Sequence, residues 1–453
     1  MPRASTKKLA LLLVAASLAL AAITALSLGR APVKSTLLSL EASYKPHLHG
    51  TRLSFTLKVR VVDAEDRTVK EAKVLLDGRE ACVDGVEAPL EVSAGVHEVT
   101  VYVGGFMLKG RLPIYFPSKY PQINSSLFFK PKIPVVAAYY AMYGNHHSEW
   151  RHWGDPQSPS ISFSPFLGQV SGDAVDQAFG LYGFNGREEN LKLIMRQMAL
   201  ARMSGVTAFA VSWWGPGSSG DQHLHEILEA AEVVGMNITV IFEPFHGFDE
   251  EAMKAAADYL KSKYMNSSVW LKDRDGQPVI FTFNLGPPSN WTKWTFIKER
   301  NEAWVAHTTD RRALSYGFKY IYEYAPAAIK IHGYNITAVY DAASAGGRFI
   351  PTLSPRYNDT RFRSRGHAFN DLWEETSKAT RFVLKERDPP FIFVTSWNEW
   401  NEGTSVEPSL DKGFTYLFKL RAFLGGEGLS EGDFLRVLHL DEPPSITLTI
   451  PLS

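Results

Sequence analysis

Apolar and polar residues alternate along the first part of the chain beyond residue 35. The runs RLSFTLKVRVVDAE (residues 52–65) and APLEVSAGVHEVTVYVGG (residues 88–105) are short and are broken by Gly, Asp and Pro. Successive side chains of a strand point to opposite faces, so this alternation is typical of half-buried strands. Closely spaced short strands predict a small antiparallel β-sandwich, to which we assign residues 31–131.

The pattern changes after the proline-bearing segment that ends at Pro134. Continuous apolar runs such as IPVVAAYYAMYG (residues 133–144) and VTAFAVSWWG (residues 206–215) alternate with segments of helical spacing, such as EENLKLIMRQMALARMSG (residues 188–205). Apolar strands that alternate with amphipathic helices indicate a parallel sheet covered on both faces. We therefore predict a (β/α)8 barrel over residues 132–453.

Two features of this fold prediction stay open. The alternative is a doubly wound open sheet, although no Gly-rich phosphate loop follows the first apolar run. Later runs include FKYIYEY and ITAVYDAA, but the pattern does not place strands five and six between residues 300 and 345.

The N-terminus carries a targeting signal. Three basic residues precede an apolar run from Leu9 to Leu28. A basic start followed by an apolar run is typical of a secretory signal peptide, and a run of this length also suits an uncleaved membrane anchor. We assign residues 1–30 to one of these two segments and expect an extracellular or cell-surface protein.

Charge and composition narrow the class of partner. Lys and Arg total 48, as do Asp and Glu, so no basic field favours nucleic acid. Aromatic residues make up 12% of the chain, and such rings either stack on ligands or fill a core. The single cysteine, Cys82, excludes an intramolecular disulfide and is expected in the core.

Aromatic and acidic residues follow the predicted barrel strands. Working residues of such barrels lie at the carboxyl ends of the strands, so these side chains should converge on one rim. Rings and carboxylates together suit a sugar site. The candidate substrate-binding residues are Tyr140, Tyr143, His152, Trp153, Trp213, Trp214, Glu243, Tyr357, Arg361 and Asn398. His146, His147 and His152 lack the spacing of a metal site, and we predict no metal.

The segment VTSWNEWNEGTSVEP (residues 394–408) carries the candidate catalytic pair, Glu399 and Glu402. In a strand these two side chains would point apart, whereas in a helical turn they would be neighbours. Two close carboxylates tend to share one proton, as glycoside cleavage requires. The alternative is that both glutamates cap backbone amides or pair with Arg361 or Arg363.

Several motifs resemble one known family. YYAMYGN, VSWWGPGS, IFEPF, TLSPRYNDTRFRSRG and SWNEWNEGTSVEP occur in this order over roughly residues 133–425. They are similar to the motifs of glycoside hydrolase family 99, the endo-α-1,2-mannosidases and mannanases. Asn401 stands where the family usually has His, and Arg356 where it tends to have a small residue.

The resemblance implies a barrel enzyme that cleaves α-mannosides internally, with retention of configuration and without metal or cofactor. It implies that Glu399 deprotonates the sugar 2-hydroxyl, which forms a 1,2-anhydro sugar, and that Glu402 protonates the leaving oxygen. We accordingly expect Glu402 to be the more buried of the two, with Glu243 in support. The rings expected to line the cleft are Tyr140, Trp153, Trp213 and Trp214. The alternatives are a hydrolase of another glycan and a carbohydrate-binding protein without catalysis.

Overall fold

The structure is a computed structural model of the chain. It describes residues 38–49, 52–63, 67–93, 95–114, 119–146, 149–151, 154–155, 158–167, 182–183, 186–245, 247–440 and 445–450. The predicted signal segment and the candidates His152 and Trp153 lie outside these residues. Among the described helices, none has the length and apolar character needed to cross a membrane.

Eight parallel strands form a closed barrel, which confirms the predicted fold. They are β1 (Val135–Tyr139), β2 (Ala208–Trp213), β3 (Asn237–Phe242), β4 (Val279–Thr282), β5 (Ala303–His307), β6 (Tyr320–Tyr322), β7 (Phe349–Ile350 and Thr352–Leu353) and β8 (Ile392–Val394). Each strand pairs with the next, and β8 also pairs with β1 through Ile392 and Val135. The two parts of β7 flank Pro351, and they pair with β6 and β8 respectively.

Helices follow or precede these strands along the chain. They are α1 (Arg187–Ser204), α2 (Ser219–Val234), α3 (Glu250–Lys263), α4 (Pro326–Ile331), α5 (Ile336–Ser344), α6 (Trp373–Glu386), α7 (Thr415–Phe423) and α8 (Glu431–Val437). Three 3-10 helices span Ser125–Leu127, Pro288–Glu299 and Arg311–Tyr316. The run FKYIYEY contains β6, as its apolar residues suggest, whereas ITAVYDAA lies in helix α5.

Helix α1 shows how the chain stops a helix and enters the barrel. It ends at Gly205, whose φ is +98°, and a Cβ there would lie 2.8 Å from the Leu424 side chain. Only glycine adopts this backbone conformation without strain and fits this space. The strand β2 that follows is buried along its whole length, because helices cover one of its faces and the barrel interior the other.

The N-terminal part forms two antiparallel sheets. Their strands are Leu38–His49, Arg52–Val62, Lys73–Leu76, Arg79–Val83, Val86–Glu87, Leu90–Ser93, Gly95–Val103, Phe106–Ile114 and Ser445–Ile450. Buried side chains on both sheets include Leu57, Val59, Val74 and Val101, and Cys82 is buried as expected.

The last strand corrects the division of the chain. We assigned all of 132–453 to the barrel, but Ser445–Ile450 pairs antiparallel with Leu38–His49 in an N-terminal sheet. The chain forms two compact units, and Ser445–Ile450 belongs to the N-terminal one. A short alternating run predicts a strand but carries no information about a partner some 400 residues away.

The two units lead to a first prediction. We expect a truncated chain of residues 116–441 to unfold cooperatively and to keep its activity, because a domain carries its own core. The matched control is residues 116–453, which keeps the last strand but removes its partner. Thermal unfolding by circular dichroism checks both chains. If residues 116–441 give no cooperative transition, the barrel is not an independent domain.

Candidate active site

Three carboxylates lie at the carboxyl ends of the barrel strands. Glu243 directly follows β3, while Glu399 and Glu402 lie in the segment after β8. The charge of Glu402 raises the pKa of both other carboxyl groups, so all three share one neighbourhood. This is the rim of the barrel where working residues are expected.

The segment after β8 folds back on itself. Ser396 N–H donates to the Thr404 carbonyl at 2.9 Å, and Glu407 N–H donates to the Trp397 carbonyl at 3.0 Å. Residues 400–403 make the turn, which ends at Gly403 with a φ of +63°. A Cβ on this glycine would lie 2.9 Å from the ring of Phe163. A tight turn, rather than the helical turn we considered, thus brings the two glutamates together.

Glu399 is the buried member of the pair. Its side chain accepts hydrogen bonds from the Tyr143 hydroxyl at 2.9 Å and from the Asn401 N–H at 3.0 Å, and the residue is 5% exposed. Burial and the nearby charge of Glu402 raise its pKa to about 8, against the lowering effect of these hydrogen bonds. Burial therefore favours the protonated form of the Glu399 carboxyl group in the free protein.

Glu402 is more exposed, and our expectation of the reverse order is wrong. Its side chain is 20% exposed and accepts a hydrogen bond from Arg363 Nη2 at 2.6 Å. Arg363 also contacts Asp359 at 2.6 Å and the Tyr357 hydroxyl at 2.7 Å. Spacing along the chain could not give this order, because burial depends on the loop that carries Arg363.

We considered the alternative that both glutamates pair with an arginine. Of the two, Glu402 does so, and its partner is Arg363. Arg361, which we also considered as a partner and as a substrate-binding residue, is exposed, and its Nη1 donates to the Ile161 carbonyl at 3.4 Å. Tyr357 is buried, and its hydroxyl donates to Asp359 and contacts Arg363, so it lies beside Glu402.

Glu243, which directly follows β3, is buried beside the end of β2. It accepts a hydrogen bond from Ser212 Oγ at 2.8 Å, and burial raises its pKa to about 8, to which the charge of Glu402 contributes. Ser212 Oγ in turn accepts from Trp214 Nε1 at 3.2 Å. The Trp214 side chain is 50% exposed and lines a cavity together with Ser212, Ala141, Met142 and Ser218. An open indole beside a carboxylate is suited to a sugar ring.

Two tyrosines lie among the three carboxylates. The hydroxyl groups of Tyr140 and Tyr324 contact each other, and both rings are buried. Burial raises the pKa of both, and all three carboxylates add to the rise. We predicted Tyr140 from its place after β1 but missed Tyr324. Its signal was the run FKYIYEY, which ends at Tyr324, two residues beyond the end of β6.

Trp213 does not line the cleft, which corrects our prediction. Its indole Nε1 donates to Asp221 at 3.1 Å, and its ring stacks on Tyr259 with centroids 6.2 Å apart. Both partners belong to helices α2 and α3. Because Ser212 faces Glu243, the next residue of the strand must face the helices. Two adjacent tryptophans can therefore supply only one ring to the site.

Asn398 positions the end of β1 instead of pointing to open space. Its Oδ1 accepts from the Tyr140 N–H at 2.8 Å, and its Nδ2 donates to the Tyr140 carbonyl at 3.0 Å.

Within the described residues there is no group of three His, Cys, Asp or Glu side chains that could hold a metal ion. Catalysis without a metal or cofactor stays a prediction.

Comparison with known proteins identifies the barrel. The sequence model of glycosyl hydrolase family 99 matches residues 133–421. The chain belongs to this family. The predicted glycoside hydrolase class is thereby confirmed, and the matched range contains all three carboxylates of the rim.

Individual relatives of this family 99 chain are distant. The glycoprotein endo-α-1,2-mannosidase of Mus musculus is 24% identical over 348 residues, which cover 67% of this chain and 74% of the relative. The Xenopus laevis enzyme of the same name is 24% identical over 337 residues, covering 64% and 73%. A GH99 endo-α-mannosidase structure from Bacteroides thetaiotaomicron, in complex with BIS-TRIS-propane, has a TM-score of 0.51 at 21% identity. It covers 64% of this chain and 96% of that one, and this likeness supports the fold.

Proposed function

We propose that the chain hydrolyses α-mannosidic bonds within an oligosaccharide or polysaccharide, with retention of configuration. The observation that carries the proposal is the meeting of Glu243, Glu399 and Glu402 at one rim of a family 99 barrel. Named relatives are endo-α-1,2-mannosidases. An open ring at Trp214 beside these carboxylates is suited to a neutral sugar.

The proposed reaction has two steps. Glu399 takes the proton of the sugar 2-hydroxyl, whose oxygen attacks C1 and forms a 1,2-anhydro ring. The bond from C1 to the leaving oxygen breaks, and Glu402 gives that oxygen its proton. Water then opens the anhydro ring at C1, with Glu402 as base and Glu399 returning a proton to O2. Two inversions at C1 leave the configuration retained, and each carboxyl ends in its starting state.

The proposed chemistry requires one proton to be shared between Glu399 and Glu402. The two carboxyl groups interact, so the proton belongs to the pair rather than to one residue. Two features favour Glu399 as its holder in the free protein: burial raises the pKa of that carboxyl group to about 8, and Arg363 contacts Glu402. The proposed chemistry requires the proton on Glu402. We therefore propose that substrate binding transfers the proton within the pair before the bond breaks.

We also propose that the protein is exported and acts outside the cell or at its surface. The basic start and the apolar run at residues 9–28 support this. That run serves either as a cleaved signal peptide or as an anchor. Expression of the full chain, followed by fractionation and N-terminal sequencing of the product, distinguishes the two.

The substrate is tested with a panel of α-linked manno-oligosaccharides and product analysis by mass spectrometry. We expect internal cleavage, with disaccharide or larger products and no release of single mannose units. Cleavage of a different glycan and of no α-mannoside would favour a hydrolase of another specificity. Sugar binding without any hydrolysis would favour a carbohydrate-binding protein and would contradict the proposal.

A further inference from the structure

A third glutamate of the segment after β8, Glu407, is buried without a use in the proposed chemistry. Its residue is 1% exposed, and burial raises the pKa of its carboxyl group, while hydrogen bonds from three neighbouring side chains act in the opposite direction. Among the described residues, the side chains that form hydrogen bonds with it are those of Tyr182, Gln197 and Trp400, none of which is charged. Burying a carboxyl group without a cation is costly. Such a group needs an explanation.

Both oxygens of Glu407 accept hydrogen bonds. Gln197 Nε2 donates to Oε1 at 2.9 Å, and the Tyr182 hydroxyl donates to Oε2 at 2.7 Å. The orientation of the Gln197 amide is supported on its other side, where its Oε1 accepts from the Tyr139 hydroxyl at 2.6 Å. Tyr139 therefore donates to Gln197, and Gln197 donates to Glu407.

A second branch reaches Glu407 through Tyr182. The Tyr182 oxygen accepts from Trp400 Nε1 at 3.2 Å, from Gln197 Nε2 at 2.9 Å and from Asn398 Nδ2 at 3.4 Å. An indole N–H can only donate, and the Asn398 amide is fixed by the Tyr140 backbone. Since three N–H groups face this oxygen, the hydroxyl hydrogen is directed to Glu407. Glu407 is the acceptor on which both branches end.

This network holds the two neighbours of Glu399 in the sequence. Asn398 and Trp400 contact Tyr182 through their side chains. The Trp400 backbone N–H also donates to the Tyr143 hydroxyl at 2.9 Å, and that hydroxyl donates to Glu399 Oε1. The contacts from Glu407 to the Glu399 carboxyl are thus continuous.

We propose that Glu407 is a positioning residue, which holds Trp400 and Asn398 through Tyr182 and so fixes the Glu399 carboxyl at the rim. The inference rests on the proposed function of Glu399. The proposal sets a specific requirement for the side chain at residue 407. Both of its terminal polar atoms must accept hydrogen bonds. A carboxylate meets this requirement, while an amide of the same shape presents an NH2 to a neighbouring donor.

The test is an exchange of two side chains. We expect Glu407→Gln to lower kcat by up to about 100-fold, because small displacements of a reacting group have effects of this size, with little change in KM. The double variant Glu407→Gln/Gln197→Glu restores an acceptor beside the new amide, with the same side-chain atoms in total. We expect it to recover most of the lost kcat. A double variant no more active than Glu407→Gln would overturn the proposal.

A second variant and a second measurement keep the test decisive. Tyr182→Phe keeps the ring but removes the hydroxyl that joins the branches, and we expect the same loss of kcat in a variant that still unfolds cooperatively. Crystal structures of Glu407→Gln and the double variant report the Glu399 carboxyl directly. It should be displaced in the first and restored in the second, whatever the substrate proves to be. An undisplaced carboxyl in Glu407→Gln would contradict the inference, while an inactive wild-type chain would contradict only the proposed function.

Discussion

Glu399→Gln is expected to lower kcat by about 10³-fold on every α-mannoside, since loss of a general base typically has an effect of this order. The amide has the shape of the carboxyl and can still accept from Tyr143, but it cannot take the proton of the 2-hydroxyl. The loss should be similar for poor and good leaving groups, because attack by O2 is needed in both cases. Steady-state kinetics on aryl and oligosaccharide substrates measure it.

The matched control is Glu229→Gln. Glu229 lies on helix α2 and forms an exposed ion pair with Arg187, and pairs of this kind contribute little to stability. Its replacement should leave kcat unchanged. A Glu399→Gln enzyme that keeps more than a tenth of the wild-type kcat would exclude Glu399 as the base.

The same variant should also change the pH dependence of stability. The pKa of the Glu399 carboxyl is about 8 in the folded protein against an ordinary value of 4.5. Between these values the unfolded chain has lost this proton while the folded protein keeps it, so the free energy of unfolding falls as pH rises. Glutamine lacks this dependence. Relative to the wild type, Glu399→Gln should therefore become more stable from pH 5 to pH 8 in urea unfolding experiments.

Glu402→Gln is expected to affect substrates according to their leaving groups. A poor leaving group, such as a sugar alkoxide, needs a proton as the bond breaks, so kcat/KM should fall by about 10³-fold. An activated aryl leaving group departs without one, and its turnover should fall far less. A series of aryl α-mannosides with leaving groups of graded acidity measures the slope, which should be steeper for the variant than for the wild type.

This dependence separates the two glutamates. Glu399→Gln, by contrast, should lower every rate in the series to a similar degree and leave the slope unchanged. If Glu402→Gln cleaves the poor-leaving-group substrates at the wild-type rate, or if Glu399→Gln shows the steeper slope, the roles of the two residues are reversed or wrong.

The parts of the fold that sequence patterns predicted are those with long apolar runs. Strands β1 to β3 are continuous apolar runs, and helices α1 to α3 have helical spacing with glycines or caps at their ends. Strands β5 and β6 are instead preceded by segments with 3-10 helices, and the alternation of strands with amphipathic helices is lost there. The pairing of Ser445–Ile450 with the first strand is a contact between distant parts of the chain, and local patterns do not encode such contacts.

Sequence patterns predicted those site residues that directly follow a barrel strand. Glu243 and Glu399 follow strands and meet as expected, because parallel strands end at one rim. Trp213 was misplaced because the parity of β2, which decides whether residue 212 or 213 faces inward, is not fixed by a wholly apolar run. The contact between Arg363 and Glu402 depends on a loop that returns from β7, and no spacing rule predicts it.

The central claim is that Glu399 removes a proton from the sugar and does not form a bond to it. Intact-protein mass spectrometry with a 2-deoxy-2-fluoro α-mannoside that carries an activated leaving group tests this directly. Such a substrate has no 2-hydroxyl, so we expect neither release of the leaving group nor any gain in protein mass. A stable adduct of one fluorosugar, located by peptide sequencing on Glu399, would show that this carboxylate is a nucleophile and would contradict the account.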